Sequence, residues 1–519
     1  MTQNSSQVPK VLNISEFYSE AVVDTQKLRY KSLVQDFKNT YNEEPEYIVR
    51  CPGRVNIIGE HIDYCGFPVL PMAVERDILV AVKVVEGSSE LHLGNTNASF
   101  PKRVNKIISH SEGIVDIDPK IHEWSNYAKA GFKGTIEHFN VQAPKGMKCM
   151  FNGTIPTGSG ISSSSALVCS MVIATATAHD ADLDKSNLTQ IAVNSERYVG
   201  INGGGMDQTA SIMSQLDQAL LIEFFPEFKT TPVKIPVVNP PASFVVANSL
   251  TVSDKHVTAP VCYNLRVVET RLAAFLMAKK YDLVAKIGDY PTLKMLMDGY
   301  FDKHQDITSS LKGSEAEIWI QKLDLMLQLV DETFSIHDGY TIEEIINISA
   351  ESYEAINERF LTKFPIRAEK FQLYTRAKHV FSEAKRVIEF RDVCEKSNAG
   401  TGLQGDELLT KLGKLMTESQ ESCKNNFNCS CPELDELTSI CIEAGAVGSR
   451  LTGAGWGGCT VSLVPGDKVD SFIQTVKNKY YKGEDNPKNT KGEAFPINEV
   501  LFSTQPGQGA VIYQGSFDF

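Results

Sequence analysis

Apolar and polar positions along the 519-residue chain switch between the two-residue and the 3.6-residue period, and each switch marks an element. Residues 1–45 read as a polar lead-in with a short helix around Gln26–Tyr41. From Tyr47 onward, apolar runs of strand length occur at Ile78–Lys83 and Met147–Gly153. Residues 163–178 and 185–199 predict helices; the second starts after a Ser186 cap and lines up Leu188, Ile191, Ala192 and Ser195 on one face. Ala219–Phe224 and Phe244–Asn248 predict strands, and the proline-rich stretch Thr231–Pro241 between them reads as an inter-domain region. The second half is mostly helical. Phe371, Tyr374, Ala377, Phe381, Ala384 and Ile388 recur at spacings of three and four, which predicts a core-facing helix over 366–396. Residues 280–320 and 397–412 are polar and irregular and are expected to be loops or insertions. Strands return near Cys459–Val464 and Ala510–Tyr513. Strands and helices in both halves predict an α+β fold of two domains, 46–235 and 236–519, with the active site between them.

Composition narrows this picture. At 42% hydrophobic and 22% charged residues, the chain has apolar material for full cores and reads as a soluble globular protein. A net charge of −13 argues against nucleic acid and anionic membranes as general partners. The start, Met-Thr-Gln-Asn-Ser-Ser, has neither the basic nor the apolar part of a secretory signal. No apolar stretch reaches the roughly 20 residues that span a bilayer. Eleven cysteines are then expected to be reduced core residues in a cytoplasmic protein. Cys423, Cys429 and Cys431 cluster, but no histidine or CxxC pair completes a zinc pattern, and packing is the expected role.

The run Asn152-Gly-Thr-Ile-Pro-Thr-Gly-Ser-Gly-Ile-Ser-Ser-Ser-Ser-Ala166 carries the strongest chemical signal. A glycine-rich turn that feeds a helix aims free backbone N–H groups and the positive end of the helix dipole at one spot, which favours a phosphate. The serine hydroxyls add donors, and one could ligate a metal. No GK[ST] occurs in the chain, so this is not a Walker loop, and the protein-kinase HRD and DFG patterns are missing too.

Three further constellations surround it. Cys51-Pro-Gly-Arg-Val-Asn-Ile-Ile-Gly-Glu-His-Ile-Asp-Tyr64 packs Arg54, Glu60, His61 and Asp63 into ten residues. Carboxylates and a histidine at this density suit sugar hydroxyls; an exposed ion-pair cluster is the alternative. Gly203-Gly-Gly-Met-Asp207-Gln208 lets backbone approach a ligand and aims Asp207, although a helix-capping Asp would look the same. Leu451-Thr-Gly-Ala-Gly-Trp-Gly-Gly-Cys-Thr460 contains a literal GxGxxG, but the strand-like Cys-Thr-Val-Ser-Leu-Val that follows offers no helix N-terminus for a pyrophosphate. It reads instead as a glycine turn pressed against a ligand or another loop.

In this order, the four stretches resemble the GHMP small-molecule kinases and, within them, the galactokinases, from about residue 45 to the C-terminus. The loop is similar to the family's PxGxGLxSSxA, with Ile161 for the usual Leu. The resemblance implies an N-terminal domain of the ribosomal-protein-S5-like type and a GHMP C-terminal domain. It implies ATP-dependent phosphorylation of the C1 hydroxyl of galactose, with Arg54 and Asp207 as the catalytic pair. Glu60, His61, Asp63 and Tyr263 would join them at the sugar. Gly158, Gly160, Ser162, Ser163 and Ser164 would surround the ATP phosphates, with Trp124 and Lys255 also on the nucleotide side. Ser164 and Glu196 would be the Mg²⁺ ligands. A guanidinium beside Asp207 favours its ionised form, ready to accept the C1 proton. N-acetylgalactosamine kinases are similar as well and share Cys-Ser-Cys-Pro-Glu at 429–433. Some fungal relatives act as transcriptional inducers through a regulatory protein partner. Their non-catalytic form has a serine loop two residues shorter, whereas Ser162–Ala166 is full length here.

Overall fold

A computed structural model describes residues 6–121, 123–200, 203–252, 260–363 and 365–517. Thirteen strands are present among them: β1 Lys10–Val11, β2 Tyr47–Ile58, β3 Leu70–Val85, β4 Glu90–Asn95, β5 Arg103–Lys106, β6 Gly146–Gly153, β7 Gln218–Glu223, β8 Lys229–Lys234, β9 Ser243–Asn248, β10 Gly448–Thr452, β11 Cys459–Val464, β12 Leu501–Thr504 and β13 Val511–Tyr513. Seven form one mixed sheet in the order β1-β13-β2-β3-β6-β4-β5. Four form an antiparallel sheet in the order β10-β11-β9-β12, and β7 pairs with β8.

Every position of β2 is buried, because both faces of the large sheet are covered. On one face, α1 (Val23–Tyr41) sets Tyr30, Leu33, Val34 and Phe37 against Ile48, Leu79, Ala81 and Met150. The alternate side chains Val49, Cys51, Val80 and Val82 face the core that contains α3 (Ser163–Ala178). Helix α3 is apolar all round because α2 (Trp124–His138) covers its outer side. The two helices come so close that a Cβ on Gly131 would lie 2.7 Å from the Val168 carbonyl oxygen. The second sheet packs Val245, Ala247 and Val464 against Leu437 and Cys441 of the helix Pro432–Glu443 and Phe472 of the helix Val469–Lys479. The chain then returns, and β13 pairs with β2 in the first sheet.

A buried ion cluster ties this sheet to its flanks. Asp77 of β3 pairs with Arg29 of α1 at 2.5 Å and with Arg50 of β2 at 2.6 Å, and it accepts a hydrogen bond from the Tyr18 hydroxyl at 2.6 Å. The backbone N–H of Asp77 donates to Thr154 Oγ1, next to the glycine-serine run.

Several expected elements differ in detail. The helix expected over 185–199 is α4 (Lys185–Ser195) followed by a 3-10 turn, Glu196–Val199. Its cap is Asp184, which accepts from the Asn187 N–H at 3.0 Å, rather than Ser186. The helix expected over 366–396 runs Leu373–Asn398. It starts late because Phe371 bridges to Tyr340 and Glu269 takes the Gln372 N–H at 2.7 Å. The stretch 280–320, expected to be loops, holds the helices Leu293–Lys303 and Glu315–Thr333, the latter opened by a Ser314/Glu317 capping box. The stretch 397–412 runs into the helix Gly405–Ser422, whose Leu408, Leu412, Leu415 and Met416 are buried. Among the described residues, no helix is long and apolar enough to cross a membrane.

Candidate functional site

The three glycine-bearing stretches and the charged one meet at the end of β2. Register breaks at Pro52/Arg54 and Asn56/Ile58 bend this strand and turn its side chains out of a regular alternation. Gly53 lies against the glycine-serine run: a Cβ there would stand 2.7 Å from the Ile161 carbonyl oxygen. The Arg54 backbone N–H donates to that same oxygen at 3.2 Å. The Arg54 side chain, 3% exposed, then bridges two partners. Nε and Nη2 lie 2.8 and 2.7 Å from Asp207 Oδ1, and Nη1 donates to the Gly160 carbonyl at 2.8 Å.

Asp207 sits in the first turn of α5 (Met206–Met213), just past the glycine run, with Gly205 at φ +100°. Its side chain remains 23% exposed, open to a reactant. A Cβ on Gly204 would fall 2.1 Å from Asp63 Oδ2, so a larger residue there would push the Asp63 side chain aside. Burial pushes the Asp63 carboxyl up to about 6; the Tyr64 backbone N–H opposes this and the charge of Asp207 adds to it. The electrostatic coupling places both carboxylates in one neighbourhood.

The glycine-serine run makes the tight turn its sequence predicts. Gly158 and Gly160 have φ of +69° and +76°, and Ser162, a non-glycine residue, is held at +66° as the N-cap of α3. Ser162 Oγ is buried without a hydrogen-bond partner, a polar group at the head of a helix that a ligand would satisfy. Ser163 and Ser164 follow, half-buried, in the first turn of α3. Glu196, 3% exposed, accepts a hydrogen bond from Ser165 Oγ at 2.6 Å, so the serine that reaches Glu196 is the one after Ser164.

The GxGxxG stretch backs this turn. Gly458 has φ +80°, and a Cβ on it would lie 2.9 Å from the Ser159 carbonyl oxygen. Strand β11 follows directly, as the rejection of a dinucleotide fingerprint requires.

Among the remaining expected residues, Glu60 and His61 are buried and Tyr263 and Trp124 are half-buried. Glu60, 2% exposed, pairs with Arg450 at 2.9 Å and accepts the Gly453 N–H at 3.1 Å. Burial lifts its carboxyl to about 7 against the pull of Arg450 and Arg54. His61 Nε2 faces the Ala454 carbonyl at 2.9 Å, so it is the protonated nitrogen, and Nδ1 lies 3.0 Å from the Tyr64 hydroxyl. The Tyr263 ring, on the first residue of the helix Tyr263–Lys280, stands 5.7 Å from His61 and 5.5 Å from Tyr64. Burial, then the charges of Asp63 and Asp207, hold its hydroxyl protonated. Trp124 begins α2, donates to the Pro101 carbonyl at 3.2 Å and packs edge-on against Phe151 of β6. Lys255 lies outside the described residues. Cys423, Cys429 and Cys431 carry no disulfide, and among the described residues no group of three His, Cys, Asp or Glu could hold a metal ion.

Sequence reasoning missed four residues at this site: Ser165, His379, Glu383 and Arg450. Glu383 Oε1 accepts the N–H groups of Gly59 and Glu60, and His379 Nε2 lies 3.0 Å from the Glu60 carbonyl. The available signal was a histidine and a glutamate four apart inside an apolar helical stripe. Arg450 gave a similar one, as a lone charge in the strand ahead of the glycine turn.

Three family profiles match: the galactokinase galactose-binding signature over residues 35–84, the GHMP kinases N-terminal domain over 126–215 and the GHMP kinases C-terminal domain over 406–482. A galactokinase of Saccharomyces cerevisiae is 38% identical, over 96% of this chain and 98% of its own. One from Dictyostelium discoideum is 39% identical, over 94% and 95%. The fold is similar to the crystal structure of Lactococcus lactis galactokinase complexed with galactose, with a TM-score of 0.62 at 22% identity, over 92% of this chain and 98% of the other.

Proposed function

The chain belongs to the galactokinase family of GHMP kinases and phosphorylates galactose with ATP, and we propose that Arg54 and Asp207 carry the transfer to the C1 hydroxyl. The observation that supports this most is the reach of one guanidinium from the Asp207 carboxylate to the carbonyl of Gly160 in the phosphate-binding turn. It joins the acceptor side of the reaction to the donor side.

Phosphoryl transfer depends on in-line positioning and on neutralised charge. The turn 158–164 and the N-terminus of α3 hold the ATP phosphates through backbone N–H groups and the Ser162–Ser164 hydroxyls. Asp63 and Asp207, with Tyr263 and His61, frame the sugar. Glu60, locked by Arg450 and Gly453, holds the neighbouring glycine turn in place rather than reaching freely for a hydroxyl. Asp207 Oδ1 is engaged by Arg54, and the carboxylate accepts the C1 proton as the oxygen bonds to the γ-phosphorus and the bond to ADP breaks. Arg54 stays beside it and offsets charge on the transferring group.

Ser164 and Glu196 supply hard oxygen donors suited to Mg²⁺, and the unpartnered Ser162 hydroxyl is a further polar group at the same helix head. When bound, the ion would draw charge from the β- and γ-phosphates.

The test is a substrate panel with MgATP and ADP release as readout. Galactose is expected to give fast turnover and N-acetylgalactosamine much slower turnover; equal or reversed rates would overturn the galactose assignment. A second measurement isolates the donor side. Gly458→Ala forces a Cβ against the Ser159 carbonyl at a φ that costs an L-residue about 1–2 kcal/mol. Displacing the turn is expected to raise the KM for ATP about tenfold and leave that for galactose nearly unchanged. An unaltered ATP KM would remove the contact between the two loops from the account of nucleotide binding.

A further inference from the structure

The turn that carries Glu60, His61 and Asp63 is gripped from behind by one helix. As β2 ends, the backbone leaves the sheet: Gly59 has φ +110° and His61 +62°, so ladder pairing cannot satisfy their neighbours' polar groups. Three of these groups find partners on the helix Leu373–Asn398. Glu383 Oε1 accepts the Gly59 N–H at 2.8 Å and the Glu60 N–H at 3.3 Å, and His379 Nε2 takes the Glu60 carbonyl at 3.0 Å. The two side chains are four residues apart, one helical turn, and both are fully buried. The carbonyl can only accept, so Nε2 carries the proton and Nδ1 accepts from Ser422 Oγ at 2.9 Å.

The grip is itself braced. Glu383 Oε1 also accepts Ser419 Oγ at 2.6 Å, and Oε2 pairs with Arg386 at 2.7 Å. Burial raises the Glu383 carboxyl, but Arg386, Arg450, His379 and Ser419 outweigh it and hold it near 2; burial lowers His379 to about 4. Neither group changes charge near neutral pH. An anion held by two backbone N–H groups, with its other oxygen on an arginine, is a stiff support, since charge-assisted bonds are roughly twice as strong as neutral ones. A carboxylate this deep is an expensive way to satisfy two amides, and its placement opposite a turn with two left-handed residues gives it a job beyond packing.

We infer that Glu383 and His379 are positioning residues that fix the backbone of residues 59–61 and thereby set the affinity for galactose without touching the sugar. This rests on the reading of that turn as the sugar site. The helix touches the turn 59–61 directly and the nucleotide side only at one remove, through the Glu60–Gly453 and His61–Ala454 contacts, so its effect on galactose is the larger.

The test compares KM values for galactose and for ATP in the full chain. Glu383→Gln keeps the shape and one acceptor but loses the charge. His379→Leu removes the donor to Glu60, whereas His379→Gln can restore a donor near the Nε2 position. Glu383→Gln and His379→Leu are expected to raise the galactose KM about tenfold or more and to leave the ATP KM within about twofold. His379→Gln is expected to recover most of the loss, which a purely packing role would not predict. Should Glu383→Gln fail to fold, the two His379 variants carry the test alone. Galactose and ATP KM rising together, or neither rising, overturns the inference. Asp63→Asn is the control: an unchanged galactose KM there refutes the sugar assignment of the turn itself. A raised one, alongside silent helix variants, refutes only the grip.

Discussion

Asp207→Asn is expected to lower kcat by about 10²- to 10⁴-fold while ATP binding, read by nucleotide titration, stays close to that of the unaltered protein. The change removes a negative charge and the proton acceptor but keeps the shape. Folding is not at stake, since the Asp207 side chain is 23% exposed and Arg54 retains the Gly160 carbonyl as a partner. The loss corresponds to about 3–5 kcal/mol of transition-state stabilisation. Much of it is electrostatic: the carboxylate balances the guanidinium beside the reacting hydroxyl, and an amide leaves that charge unopposed. Turnover close to that of the unaltered protein would take Asp207 out of the reaction. A large rise in the Kd for ATP would mean that its main task is to hold the phosphate-binding turn through Arg54.

Asp77→Ala should cost about 3–5 kcal/mol of stability, measured as a fall in the urea midpoint, because it leaves Arg29 and Arg50 buried without their anion. Burial pushes the Asp77 carboxyl up, yet Arg29, Arg50 and the Tyr18 hydroxyl more than compensate and keep it below its ordinary value. The sign of the pH effect follows. The folded state binds the proton more weakly than the unfolded chain, so the stabilisation is present above about pH 4 and is lost as the pH falls further. Asp77→Asn, which keeps the hydrogen-bonding shape, should lose less than Asp77→Ala. The variant also probes coupling to function, because Asp77 is tied through Thr154 to the start of the glycine-serine turn. Equal stability of Asp77→Ala and the unaltered protein would show that the two arginines find other partners.

The residues at the centre of the site were legible in the sequence because each has a local reason to stand where it does. The glycines at 158, 160 and 458 are demanded by positive φ, which is a property of short segments. The switch from β6 to the serine-headed α3 is equally local. Its apolar run, Leu167–Ala178, is long, and the helix expected over 163–178 is the one the structure forms. Local signals were weaker in the second half. The helices Leu293–Lys303 and Gly405–Ser422 passed for irregular segments because their buried stripes are short and the neighbouring glycines and polar residues dilute them.

By itself, the sequence determined the period of each long element, the positions that only glycine can fill, and the set of charged and hydroxyl groups available for chemistry. These depend on residues a few positions apart. Tertiary structure decided the partners. Arg54 meets Asp207, 153 residues away, and Glu60 meets Arg450 and Gly453 nearly 400 residues on. It also decided that Glu383 and His379 face a turn more than 300 residues earlier in the chain. An isolated helix gives these two side chains no reason to be buried. Only the packing of the helix Leu373–Asn398 behind the end of β2 turns an ordinary polar pair into a support for the backbone of residues 59–60.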